Sequence, residues 1–206
     1  MAIWVGIDDT DSKKGGCTTY VAAVLIRRLE EKGIKTIGYP RLVRLNPNCP
    51  YKTRGNAAIA VKADTGDLET VKETAVEVVE EYSELDEGAE TGIVLLPREP
   101  DERLRKFYWR AVREIIPIED AFKLADEVGA EVVYYMDGKG VVGGLAAIGA
   151  DFTPGKTYEL IAHRTKEYWG TVRKIDVESV FEMDKATAPY TFDNVDYESG
   201  EIRIAP

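Results

Sequence analysis

The chain has 206 residues and a formal charge of −10, from 27 Lys and Arg against 37 Asp and Glu. Its 44% hydrophobic and 31% charged content excludes a disordered or membrane-embedded chain and suits one large or two small domains. Two cysteines (Cys17 and Cys49) and a lone histidine (His163) exclude a disulfide framework, a cysteine zinc cage and a multi-histidine metal centre.

The first predicted element is the apolar run Ile3 to Ile7, a buried strand that stops at Asp8-Asp9. Those carboxylates come too early for a secretory signal, and no apolar run reaches the ~20 residues that cross a bilayer. The cytoplasm is therefore the expected compartment, with no membrane partner. After the polar stretch Thr10 to Gly16, a helix is predicted from near Thr18, with Val21, Val24, Leu25 and Leu29 at helical spacing and Gly33 as its stop. Lys35 to Leu45 reads as a strand, Asn46 to Gly55 as a loop stiffened by Pro47 and Pro50, and Ala57 to Val61 as another strand. Leu68 to Tyr82 is an acidic amphipathic helix, and Ile93 to Leu96 a strand bounded by Gly92 and Pro97.

That order, βαββαβ, is the split βαβ or ferredoxin-like arrangement, an antiparallel four-stranded sheet with both helices on one face. A further helix is predicted from Asp101 to Ile115, and Pro117 marks the expected boundary between a first domain, 1–117, and a second, 118–206. In the second, Ile118 to Val128 reads as helix and Val132 to Tyr135 as extended. The glycine-rich run Gly138 to Gly144 follows, then Tyr158 to Ala162 as a strand, and a tail from Gly170 that alternates short strands with turns. The fold class is α+β in both halves, the second short of helices and incomplete on this reading.

The charge is unevenly spread. Residues 1–60 hold ten bases and five acids, whereas the other 146 residues hold 17 and 32. Between Arg41 and Asn56 there are four bases (Arg41, Arg44, Lys52 and Arg54) and no acid. Basic residues interleaved with Tyr51 on a proline-stiffened loop suit a nucleotide or an RNA backbone, and a solvated loop is the alternative.

Asp8, Asp9 and Asp11 place three carboxylates within four residues at the end of a strand. Mutual repulsion there calls for a cation, and Mg²⁺ favours one or two carboxylates plus substrate phosphates; a turn-and-cap role is the alternative. Thr18 stands at a helix start, open as a phosphate ligand, as a hydroxyl that accepts phosphate, or as a simple N-cap. Gly138, Lys139 and Gly140 suit a phosphate cradle or a hairpin turn. Asp9-Thr10-Asp11 also has the Asp-x-Asp form of aspartyl-nucleophile phosphotransferases, which are built on a parallel sheet that the strand order here does not match. A non-catalytic nucleotide- or RNA-binding module is the third reading.

Val5-Gly6-Ile7-Asp8-Asp9-Thr10-Asp11-Ser12, Cys17-Thr18-Thr19-Tyr20, Pro40 to Pro47, Lys52-Thr53-Arg54-Gly55-Asn56, Gly138 to Gly149 and Thr191 to Asp196 follow one another along the chain. In that order and spacing they resemble the archaeal tRNA-Ile 2-agmatinylcytidine synthetase family. The resemblance implies an ATP- and Mg²⁺-dependent enzyme that modifies the wobble cytidine of the tRNA(Ile) with a CAU anticodon. A kinase domain phosphorylates the cytosine C2 carbonyl oxygen, and agmatine displaces the phosphate. It implies autophosphorylation of Thr18, metal binding or acceptor activation by Asp8, Asp9 and Asp11, and charge neutralisation by Lys52 and Arg54. Members of the family are longer, with an OB-fold and a zinc ribbon that have no counterpart here, so those domains are expected in cis or in trans.

Overall fold

The computed structural model describes residues 2–153, 155, 161, 163, 171–172, 176–190, 193 and 195–202. They fall into two compact units, Met1–Asp151 and Phe152–Pro206.

The first unit is built on five antiparallel strands in the spatial order β2-β3-β1-β4-β5: β1 (Ile3–Asp8), β2 (Arg41–Arg44), β3 (Ala57–Ala63), β4 (Gly92–Leu96) and β5 (Glu131–Tyr134). The first four strands and helices α1 (Thr18–Glu31) and α2 (Leu68–Tyr82) give the ferredoxin-like order. Side chains alternate along β1. Ile3, Val5 and Ile7 enter a core with Val21, Val24, Leu25 and Leu29 of α1 and Val71, Ala75, Val78 and Val79 of α2. Each of the Val, Leu and Ile side chains contributes roughly 1.5–3 kcal/mol by leaving water. Helix α2 starts cleanly because Asp67 accepts hydrogen bonds from the Thr70 amide at 3.1 Å and the Thr70 hydroxyl at 2.7 Å.

The other face carries three helices: α3 (Glu102–Arg113), α4 (Ile118–Val128) and α5 (Gly140–Gly149). The run from Gly138 is neither a hairpin nor an open loop; Gly140 onward is helical, and its residues are buried apart from a partly exposed Val142. Glycine lets α5 settle directly on the strand backbone. A Cβ on Gly6 of β1 would stand 2.2 Å from the Gly144 carbonyl oxygen.

The expected boundary at Pro117 falls inside this unit, because β5 pairs with β4 (Ile93 opposite Val133) and α5 lies against β1, β3 and β4. The strand expected over Lys35 to Leu45 is interrupted at Gly38, with a φ of 72°, and Pro40: Thr36 bridges Ala63, and regular pairing resumes only at Arg41.

In the second unit the described residues form α6 (Val177–Thr187) and a short pair, β6 (Val195–Asp196) with β7 (Glu201–Ile202). The helix replaces part of the tail expected to alternate strands and turns. Asp176 caps it by accepting from the Glu178 amide at 3.0 Å, and the Tyr197 hydroxyl donates to Asp184 at 2.7 Å. Apart from Ile161, the strand expected over Tyr158 to Ala162 lies outside the described residues, as do Thr191, Phe192 and Asn194. No described helix is long and apolar enough to cross a membrane.

Candidate active site

The even residues of β1 face α5, so Asp8 at the strand's end points its carboxylate at that helix. Only a glycine fits opposite: a Cβ on Gly143 would lie 1.8 Å from Asp8 Oδ2. Asp8 Oδ1 accepts the Asp9 amide at 2.8 Å. Although part of the residue still meets a cavity, protein surrounds the carboxylate, and that desolvation raises its pKa well above the usual carboxylate range. The neighbouring charges of Asp9 and Asp11 push the same way, against the amide hydrogen bond.

Asp9 turns the chain in the left-handed region, with a φ of 57°, which aspartate tolerates better than most residues. Buried Thr91 holds this turn by donating its hydroxyl to the Asp9 carbonyl at 2.7 Å. Burial, then the charges of Asp11 and Glu90, raise the Asp9 carboxyl to about 6, with Lys139 opposing them. Thr10 is fully buried; it donates its hydroxyl to Thr18 Oγ1 at 3.0 Å and its carbonyl accepts the Glu84 amide at 3.0 Å. Thr18 is thus the first helical residue of α1, not its N-cap. Cys17 occupies the cap position without a side-chain hydrogen bond to the helix amides, its Sγ lying 3.0 Å from Thr19 Oγ1, and no acid lies in the first turn.

Asp11 is engaged elsewhere. Arg54 Nε and Nη2 both donate to its Oδ2, at 3.0 and 2.6 Å, and Nη2 also reaches the Gly16 carbonyl at 2.5 Å. This pair fastens the basic loop to the acidic turn. Lys52 donates to the Pro47 carbonyl. Buried Asn46 organises the loop: its amide bonds the Ala111 carbonyl at 3.0 Å and its side chain accepts the Asn48 amide at 2.9 Å.

Asp8, Asp9, Asp11, Thr18, Lys52 and Lys139 together line a cavity of about 760 Å³. The other predicted residues lie off it. Arg41 stacks 4.2 Å over the Trp4 ring and donates to the Ala150 carbonyl at 3.2 Å, and burial lowers its pKa. Trp4 and Asp8 mark opposite ends of β1, so Arg41 is remote from the acidic turn. Arg44 is exposed beside Gly55, and Gly138 and Gly140 support Lys139 from behind, the Gly140 amide bonding the Glu90 carbonyl at 2.9 Å.

Glu90 and Asp137 were not anticipated. Lys139 Nζ meets Glu90 Oε1 at 2.5 Å and stands 5.1 Å from the Tyr51 ring centroid, with the Asp137 charge close enough to raise its pKa. Glu90 immediately precedes Thr91 and the start of β4, where Gly92 lies opposite Asp8; that adjacency is the sequence signal for it. Across the cavity, Phe122 and Tyr134 meet edge to face at 5.0 Å.

Among the described residues no three His, Cys, Asp or Glu side chains converge as a metal cage. The Asp8–Asp9–Asp11 trio is therefore a pair plus a third carboxylate held by Arg54. Two adjacent carboxylates, desolvated and mutually repelling, fit the donor set that Mg²⁺ shares with nucleotide phosphates. Glu90, ion-paired to Lys139 through Oε1, leaves its buried Oε2 without a hydrogen-bond partner.

Fold and site define the class: an α+β domain of ferredoxin-like strand order with an acidic, lysine-edged cavity at the end of its central strand. Residues 4–70 and 62–137 match the family model of the TiaS TCKD domain and residues 138–206 that of the TiaS FLD domain, so the chain belongs to the TiaS family. The TCKD match ends just before α5, which nonetheless packs into the first unit.

The tRNA-Ile 2-agmatinylcytidine synthetase TiaS of Thermococcus sibiricus is 44% identical over 209 residues, covering 100% of this chain and 48% of that protein. A crystal structure of TiaS with its isoleucine tRNA and ATP superimposes with a TM-score of 0.82 at 39% identity, covering 98% of this chain and 48% of the other. One of TiaS with the same tRNA, AMPCPP and agmatine gives 0.82 at 36% identity, covering 100% of this chain and 50% of the other. The chain spans about half the length of these relatives.

Proposed function

We propose that this chain carries the phosphoryl-transfer portion of a cytoplasmic tRNA-Ile 2-agmatinylcytidine synthetase. The observation that carries this reading is the meeting of Asp8, Asp9, Thr18 and Lys139 around one cavity, in a chain related throughout its length to TiaS proteins. ATP supplies the phosphoryl group. The C2 carbonyl oxygen of the wobble cytidine bonds to the γ-phosphorus as the bond to ADP breaks; the agmatine amine then bonds to C2, phosphate leaves, and the amine gives up a proton.

Asp8 and Asp9 would hold Mg²⁺ together with phosphate oxygens, and the ion would neutralise charge developing on the transferred group. Lys139, within reach of the cavity but held by Glu90, is the cation placed to follow the phosphate. Lys52 adds a second positive charge at the mouth, while Arg54 acts through Asp11 to hold the turn. Without the ion, burial and the charges of Asp11 and Glu90 raise Asp9 to about 6, a repulsion that Mg²⁺ would relieve. Thr18 presents its hydroxyl at the uncapped start of α1, and its autophosphorylation belongs to the same proposal.

Incubation with γ-labelled ATP, Mg²⁺ and the CAU tRNA tests this directly. Label should pass to protein and RNA, fall at least ~100-fold with Asp9→Asn, and leave the protein with Thr18→Ala. Label that persists on Asp9 after Thr18→Ala would instead favour an aspartyl-phosphate enzyme.

A further inference from the structure

Helix α3 buries Leu104, Phe107 and Ala111 and packs on α5. The opposite stripe is predominantly basic and carries an exposed aromatic. Lys106, Trp109, Arg110 and Arg113 recur at helical spacing along about 10 Å. Trp109 is 41% exposed, with the Arg113 guanidinium 5.2 Å from its ring centroid and the Tyr108 ring tilted beside it at 5.0 Å. With Glu114, the stripe encloses a shallow crevice of about 420 Å³.

Two ordinary explanations fall short. Bases in the last turn complement the helix dipole, which accounts for Arg110 and Arg113 but for neither Lys106 nor an exposed indole. Ion pairing accounts for Arg110, which meets Glu114 at 3.2 Å and Asp120 at 2.9 Å. Lys106 and Arg113 form no ion pair among the described residues, in a chain of charge −10 with 37 acids available. The helix also leads to the acidic cavity: Ala111, Glu114 and Ile115 line it, and Ile115 is 54% exposed.

From this placement we infer that the outer face of α3 is an RNA-contact surface, on which Trp109 stacks a base while Lys106 and Arg113 hold the flanking phosphates. It rests on the tRNA reading above and locates where RNA beside the reacting nucleotide is gripped. Charge complementarity selects the partner: unpaired cations beside an exposed aromatic suit a single-stranded polyanion better than a protein, whose rim would offer acids without stacking bases.

The test is a fluorescence-anisotropy titration of the 206-residue chain with an unmodified CAU tRNA transcript across a salt series. Lys106→Ala with Arg113→Ala should weaken binding at least ~10-fold at low salt and flatten the plot of log affinity against log salt by about two. Trp109→Ala should weaken binding ~5–100-fold, while Trp109→Phe retains most of the affinity. ATP binding by these variants, which alter no cavity-lining residue, should stay unchanged. Equal affinity and slope in the charge variants, or no tRNA binding by the wild-type chain, would overturn the inference. A rise in monomer content without a change in tRNA affinity would do the same and assign the face to protein contact. Wild-type binding without phosphoryl transfer would sink the proposed activity alone; transfer with unaltered variant affinity would sink this surface alone.

Discussion

The two faces of β1 solve the same packing problem by opposite means. On one, Ile3, Val5 and Ile7 meet the branched side chains of α1 and α2, and stability comes from the volume of side chain removed from water. On the other, Gly6 and Asp8 meet the glycines of α5, and the contact is backbone on backbone. The aliphatic face can give when a side chain is trimmed. The glycine face has no slack, and it is the one that aims the Asp8 carboxylate. On the proposed function, rigidity is placed where the Asp8 carboxylate must be held to within fractions of an ångström.

Substitution on both faces separates the two roles. Gly143→Ala places a methyl 1.8 Å from Asp8 Oδ2, so the carboxylate must swing out of its position. Phosphoryl transfer should fall roughly 100-fold or more, by analogy with removing one electrostatic group from a site. Stability should fall by about 1–3 kcal/mol, because the methyl also lies 2.8 Å from Asp8 Cβ, with up to ~1 kcal/mol of helix propensity offsetting part of it. Leu25→Ala on the aliphatic face should lower stability by about 2–5 kcal/mol while the folded chain keeps whatever transfer rate it has. Denaturant titration beside a rate measurement checks both; equal kinetic losses would erase the distinction.

Much of the aliphatic face was legible in the sequence, and most of the glycine face was not. Short apolar runs and period-3.6 patterns announced β1, α1, α2 and β4 nearly to the residue, because each element's burial is written in its own side chains. Helix α5 read as a loop because glycine is a poor helix former; its reason for being helical lies in Gly6 and Gly92, more than forty residues upstream. The boundary at Pro117 failed for a related cause, since β5 finds its partner in β4 across the whole of α3 and α4. At the site, residues that cluster locally (Asp8, Asp9, Thr18) could be named in advance. The Glu90–Lys139 pair, 49 residues apart, and the engagement of Arg54 by Asp11, 43 apart, needed the fold.

A smaller effect sharpens the contrast through pH. The Asp9 carboxyl titrates near 6 in the folded chain and in the ordinary range near 3.8 when unfolded. Its folded-state value is the higher, so the protonated acid favours folding, and this contribution is lost as pH rises from about 4 through 6. Without divalent metal, the melting temperature should drop by roughly 5–10 °C across that window from this group. Asp9→Asn, which stays neutral, should flatten the decline. A decline of the same size in Asp9→Asn would move its origin to another group.

The smallest expected effect concerns the frame behind α5. Helix α3, which packs against it, starts at Asp101, whose carboxylate accepts the Arg103 amide at 3.0 Å and pairs with Arg103 at 2.6 Å and Arg98 at 3.1 Å. Those arginine hydrogen bonds hold its pKa far below the usual carboxylate range despite partial desolvation. A depressed folded-state pKa gives stability that is present above about 4 and is lost as pH falls. Asp101→Ala should therefore cost about 1 kcal/mol near neutral pH and progressively less in acid. Asp101→Asn keeps the capping oxygen and loses only exposed ion pairs, which contribute little, so it should fall within ~0.5 kcal/mol of wild type. If Asn proved as damaging as Ala, the arginine pairs rather than the cap would be what anchors α3, and the glycine face would depend on charge as much as on close packing.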